Sequence, residues 1–148
     1  MSQDSFRMFK LAAQGFCCTQ IMMLMALEDE GKDDNPDLIR AMQGLCGGMG
    51  RSGGTCGALT GGASIIGLAA GKGNAMEQVH PKLGRMIAEL LDWFDETYAS
   101  RDCEDIIQTK LGEGDAYPVK CGSIVSATYY KVREIMAKYI VKEEEEED

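Results

Sequence analysis

Histidine occurs once in these 148 residues, at His80. One imidazole beside Pro81 makes no positive case for a Ser–His–Asp hydrolase, and a lone histidine near a helix start reads as structural or solvent-exposed rather than as a ligand. Basic residues are also few, 15 against 24 acidic ones, for a net charge of −9. Six of the negatives fall in Glu143 to Asp148; without them the charge is −3. No basic stripe exists to neutralise phosphates, so nucleic acid is not an expected partner. Long hydrophobic runs are missing. The longest apolar stretch, Ala58 to Ala70, is too short and too rich in glycine to span a bilayer, so no membrane insertion is expected. Met1-Ser2-Gln3-Asp4 has neither the basic nor the apolar region of a secretory signal, and a cytoplasmic location is the resulting expectation. Two-residue alternation is lacking too, which argues against sheet.

What the chain does have is helical periodicity. Phe6, Phe9 and Ala13 form a short apolar face that ends near Gly15. A second helix is expected from Phe16 or Cys17 to Gly31, carrying Gln20, Met23, Leu24 and Leu27. Asn35-Pro36 pairs an N-cap side chain with proline at the first helical position, and Leu38, Ile39, Met42 and Leu45 supply that helix's buried stripe. Gly57 to Gly71 reads as a central helix whose Gly57, Gly61, Gly67 and Gly71 let neighbours pack closely. Asn74, with Glu77 three residues on, has the pattern of a capping box opening a longer helix through Leu83, Met86, Ile87, Leu90, Phe94 and Tyr98. Pro81 should kink that helix or delay its start. Asp102 reads as the N-cap of a short helix to about Leu111, stopped by Gly112. Pro118 opens the last helix, with a face of Ile124, Thr128, Val132, Ile135 and Tyr139. Met22, Met23 and Met25 suit soft core packing, since no Met-x-x-Met array repeats to suggest copper. The expectation is an all-α, single-domain bundle of about six helices, with a glycine-rich loop before a central small-residue helix. Residues 1–142 form the helical redox or metal-binding domain and 143–148 an acidic disordered tail.

Six cysteines stand out on this map. In the cytoplasm persistent disulfides are uncommon, so the thiols lean towards metal binding or reactivity. The most informative stretch is Cys56-Gly57-Ala58-Leu59-Thr60-Gly61, approached through Gly44, Gly47, Gly48, Gly50, Gly53 and Gly54. A thiol at the first turn of a helix faces unpaired N–H groups and the positive dipole end, both of which favour thiolate. Cys18, Cys56, Cys103 and Cys121 each fall in or beside the first turn of an expected helix. If the helix starts converge, four thiolates surround one metal or cluster. There is no Cys-x-x-Cys knuckle, so zinc-ribbon, common ferredoxin and thioredoxin patterns are all missing, as is the Cys-x-x-Cys-His of c-type haem. The residues alone leave three readings open: a metal or cluster site, reactive thiols, or inert buried cysteines.

The same residues resemble the C_GCAxxG_C_C family of redox-active proteins, named for four ordered cysteines with Cys-Gly-Ala-x-x-Gly at the second. Cys56-Gly57-Ala58-Leu59-Thr60-Gly61 matches that motif in full. Gly15-Phe16-Cys17-Cys18-Thr19-Gln20 fits the first slot with Cys18, and Cys103 and Cys121 look like the third and fourth. The resemblance covers nearly the whole chain apart from the acidic tail. It implies redox activity, or an iron–sulfur or other metal centre. Cys17 and Cys46 are additions to the family pattern; Cys17 competes for the first slot, and Cys46 is placed to pair with Cys56 across the glycine loop.

Two further signals weigh less. Gly48-Met49-Gly50-Arg51-Ser52-Gly53 spells Gly-x-Gly-x-x-Gly, but it follows a helix rather than a strand, so nucleotide binding is not expected. Arg51 and Ser52 are placed to orient an anion or a sulfur ligand, though a loop arginine is more often solvated. The favoured reading is a redox protein whose Cys18, Cys56, Cys103 and Cys121 bind an iron–sulfur cluster or another thiolate-bound metal, acting in electron transfer or redox sensing with a redox partner protein. One rival is a thiol–disulfide protein with Cys56 as the attacking thiolate. Another is a non-catalytic helical interaction module with structural cysteines. The oligomeric state is open, a homo-oligomer included.

Overall fold

Apolar residues at helical spacing, punctuated by caps and glycines, produce a chain of α-helices in the computed structural model, whose described residues are 3–108 and 119–141. They are α1 (Gln3–Ala13), α2 (Cys18–Asp29), α3 (Pro36–Met42), α4 (Gly57–Ala70), α5 (Leu83–Tyr98), α6 (Cys103–Ile107) and α7 (Val119–Met136). A 3-10 turn, Gln43–Leu45, follows α3, and a π turn, Ala137–Val141, extends α7. Among the described residues the only strand-like pairing is an isolated antiparallel bridge between Thr55 and Asp102. The all-α expectation holds. Among the described residues no helix is long and apolar enough to cross a membrane. Leu111, Gly112, Pro118 and the acidic tail lie outside the described residues.

Local signals explain most boundaries. Asn35 accepts a hydrogen bond from the Leu38 N–H at 3.1 Å, and Pro36 sits at the first position of α3. Asn74 does not open α5. Its side chain accepts from Met76 and Glu77 N–H, but the result is an isolated turn, and the helix begins only at Leu83. Pro81 decides the outcome: it has no N–H to donate and disfavours helical backbone at the residue before it. The helix after Asp102 is also shorter than expected, because Gln108 turns left-handed at φ 59° and ends it.

The central α4 is buried along most of its length and packs chiefly against α2, α5 and α7. Gly61 brings it onto α2, where a Cβ would stand 3.1 Å from Met22 Sδ. Gly62 does the same towards Val132 and Leu90. Gly67 has no neighbour within 4 Å of such a Cβ, so the expected close packing there is absent; Gly71 merely caps the helix. Met22, Met23 and Met25 are fully buried, as soft core filling requires. At the far end, Asp29 draws three helices together: Tyr129 of α7 donates to it and Arg7 of α1 pairs with it at 3.1 Å.

Candidate functional site

Cys56 is the N-cap of α4; its side chain makes no cap hydrogen bond, but the nearby N–H groups of Ala58 and Leu59 favour its thiolate. Its position is fixed by a short backbone seam. Cys56 N–H donates to Arg101 O at 2.7 Å, while Cys103 and Glu104 N–H donate to Gly54 O and Gly53 O at 2.6 and 3.1 Å. The first amides of α6 are thereby satisfied by the glycine loop, and Cys103, the first residue of α6, comes beside Cys56. Gly53 makes the turn at φ 84°, as the loop's composition leads one to expect; a Cβ there would lie 2.7 Å from Glu104 Oε2.

Cys18, the first residue of α2, arrives from the other side. A Cβ on Gly57 would collide with its sulfur, so the glycine after Cys56 is the space that Cys18 Sγ occupies. The Gly47 and Thr19 N–H groups favour the thiolate of that sulfur. Cys121 lies in the first turn of α7. All four thiols, brought from sequence positions far apart, line one small cavity of about 20 Å³ together with Ile107, Ile124 and Val125. These four are also the free cysteines of the chain.

Cys46 does not pair with Cys56. It forms a disulfide with Cys17, the N-cap of α2, with the Cα atoms 6.1 Å apart. Thr19 Oγ1 lies 2.9 Å from Cys46 Sγ and donates to Met42 O at 2.6 Å, holding the end of the 3-10 turn on α2. Gln20 accepts from the Cys17 N–H at 3.2 Å and donates to Ile39 O at 3.1 Å, so the glutamine two places after Cys18 completes the cap.

Electrostatics reverse part of the expectation. Helix N–H groups do favour thiolate at Cys56 and Cys18, but burial outweighs them. Desolvation pushes the Cys18 thiol up to about 12 and the Cys121 thiol up to about 11, with neighbouring cysteine sulfurs adding to both. Cys56 and Cys103 also move up, chiefly by desolvation. Cys56 is the common neighbour: its charge raises the other three. Arg51 acts the opposite way on Cys103, an effect not visible from a loop arginine's sequence context.

The donor chemistry suits a thiophilic group: four thiols, with no carboxylate or imidazole among the described lining residues. The volume suits an object near the size of one ion or water. Among the described residues no three His, Cys, Asp or Glu side chains are already grouped as a metal site, so holding an ion requires the sulfurs to close on the cavity. The Gly-x-Gly-x-x-Gly stretch offers no phosphate cradle. Gly50, Arg51, Gly53 and Gly54 N–H groups are spent on Gly44, Cys46, Gly47 and Gly48 carbonyls at 2.9–3.1 Å.

No curated protein and no solved structure matches the chain. One family model does, over residues 16–135, and its description reads "Putative redox-active protein (C_GCAxxG_C_C)". That span contains all four cavity thiols and ends before the acidic tail. The chain therefore belongs to the C_GCAxxG_C_C family.

Proposed function

We propose that Cys18, Cys56, Cys103 and Cys121 act together as one thiolate redox centre that takes a thiophilic metal, iron being the redox-competent choice, alone or as an iron–sulfur cluster. The observation that carries this reading is the shared cavity: four free cysteines from four different helix starts line it. A bound cation supplies the charge that stabilises four adjacent thiolates, and iron supplies a one-electron couple. The residues' own part is to position the sulfurs, to favour their thiolates with nearby Gly47, Ala58 and Leu59 N–H groups, and to surround them with apolar Ile107, Ile124 and Val125. Electron transfer or redox sensing is the role that fits. The small cavity favours a single ion over a cluster, which needs more room.

A thiol–disulfide role is the second reading. It draws on Cys56 being the electrostatic neighbour of the other three sulfurs, which makes it the natural hub for exchange. Its upward-shifted thiol weakens Cys56 as an attacking thiolate at neutral pH. Anaerobic purification of the full chain, followed by metal analysis and visible absorption, separates the readings. Bound iron with visible absorption supports the metal centre; colourless, metal-free protein with titratable disulfides among the four supports exchange; inert thiols leave the structural-cysteine module. Within the metal reading, Cys56→Ser loses the metal while Cys17→Ser and Cys46→Ser retain it. Loss on Cys46→Ser equal to that on Cys56→Ser refutes this ligand set.

A further inference from the structure

Cys17 and Cys46 are the two cysteines the family motif leaves unused, and the structure joins them. One end of the bond caps α2 directly before Cys18. The other end is the last residue before five consecutive left-handed residues: Gly47, Gly48, Met49, Gly50 and Arg51, at φ 67°, 74°, 67°, 64° and 63°. L-residues such as Met49 and Arg51 adopt this conformation only when their surroundings impose it. Here the run is held at both ends, by the disulfide at Cys46 and by the Gly53 and Gly54 seam to α6. The run also reaches the thiol site: Gly47, its first residue, lines the cavity of the four thiols, and the Arg51 charge at its other end bears on Cys103. Cys17 also lines a broad, mainly apolar groove of about 1260 Å³ between α1 and α7, which reaches Cys18 and Cys121.

We propose that the Cys17–Cys46 disulfide is a reducible clasp that sets the conformation of the four-thiol site, opened by a dithiol reductant entering this groove. The inference rests on the four thiols being the functional centre. A thiolate of the dithiol attacks Cys17 Sγ, forming a mixed disulfide and releasing Cys46 as its thiolate. The second thiol of the reductant then displaces Cys17 and leaves as its own disulfide. Two electrons pass to the protein, and the reductant's two protons end on Cys17 and Cys46. With the clasp open, the left-handed run relaxes and Gly47 leaves the wall of the four-thiol cavity.

Hydrogen exchange read by mass spectrometry on the full chain, air-oxidised and then treated with dithiothreitol, tests this whether or not the thiols carry metal. Exchange across residues 46–55 is expected to quicken by about tenfold or more on reduction, with α5 unchanged and the effect reversed on reoxidation. Cys17→Ser and Cys46→Ser should begin fast and ignore dithiothreitol; if either variant fails to fold, the wild-type comparison decides alone. An unchanged loop, loosening that spreads equally to α5, or Cys17 and Cys46 remaining free thiols in the air-oxidised chain would overturn the clasp. Metal content of the same samples tells the two failures apart. A chain that binds metal but whose loop ignores reduction defeats the clasp only, and a responsive loop in a chain that never binds metal defeats only the metal reading.

Discussion

Gly57 carries the tightest steric demand at the site. Any side chain there meets Cys18 Sγ, so Gly57→Ala must push that sulfur or the start of α4 aside. We expect a stability loss of about 1–3 kcal/mol, the usual cost of overpacking. Faster alkylation of Cys18 in reduced protein should accompany it, read by mass spectrometry. Gly53 is demanding for a different reason, since it combines φ 84° with the nearby Glu104 side chain. Gly53→Ala should cost about 1 kcal/mol or more and disturb Cys56 and Cys103 together, because the seam joins them. Wild-type-like stability and alkylation in both variants would show that the loop does not shape the site. The Cys56 motif is thus readable in physical detail: Gly57 is room for a sulfur, Ala58 is a buried small residue, and Gly61 is contact with α2.

At the scale of the element, helix starts do the positioning, and four of them present thiols. Small residues matter only where a neighbour is close. Gly67 lies inside α4 with nothing within 4 Å of a Cβ, so Gly67→Ala should raise stability by about 0.5–1 kcal/mol through helix propensity, the opposite sign to Gly57→Ala. Thermal unfolding of the two variants side by side checks the contrast. α5 and the end of α7 are joined by Glu89, which accepts from Tyr139 and from Lys138 at 3.0 Å. The Tyr139 hydrogen bond, then the Lys138 cation, hold the Glu89 carboxyl below its ordinary 4.5. The folded chain therefore binds that proton less readily than the unfolded one. The contact stabilises fully above about pH 4.5 and fades as pH falls through the lower folded value. Glu89→Gln should flatten the acid side of the stability curve; an unchanged acid limb would show that the contact contributes nothing. Sequence signals compete at this scale too. Asn74 and Glu77 form their turn, but Pro81 sets where α5 begins.

For the whole molecule, the fold class and the helix-start placement of Cys18, Cys56, Cys103 and Cys121 were legible because both follow from local pattern. The Cys17–Cys46 bond was not, since its partners are 29 residues apart and nothing local distinguishes Cys46–Cys17 from Cys46–Cys56. The balance between helix N–H groups and desolvation was likewise hidden, because burial is a property of the assembled bundle. Arg51 looked like a solvated loop residue until the left-handed run brought its charge to bear on Cys103. The central claim is that four thiols from separate helices act on one bound ion. Cobalt(II) titration of the reduced full chain tests it most directly, through the thiolate-to-cobalt charge-transfer band. The account predicts saturation at one cobalt per chain, a band weakened in Cys18→Ser, Cys56→Ser, Cys103→Ser and Cys121→Ser, and a band kept in Cys17→Ser and Cys46→Ser. A wild-type chain with no thiolate band, or a band left at full strength by loss of any one of the four, would contradict it.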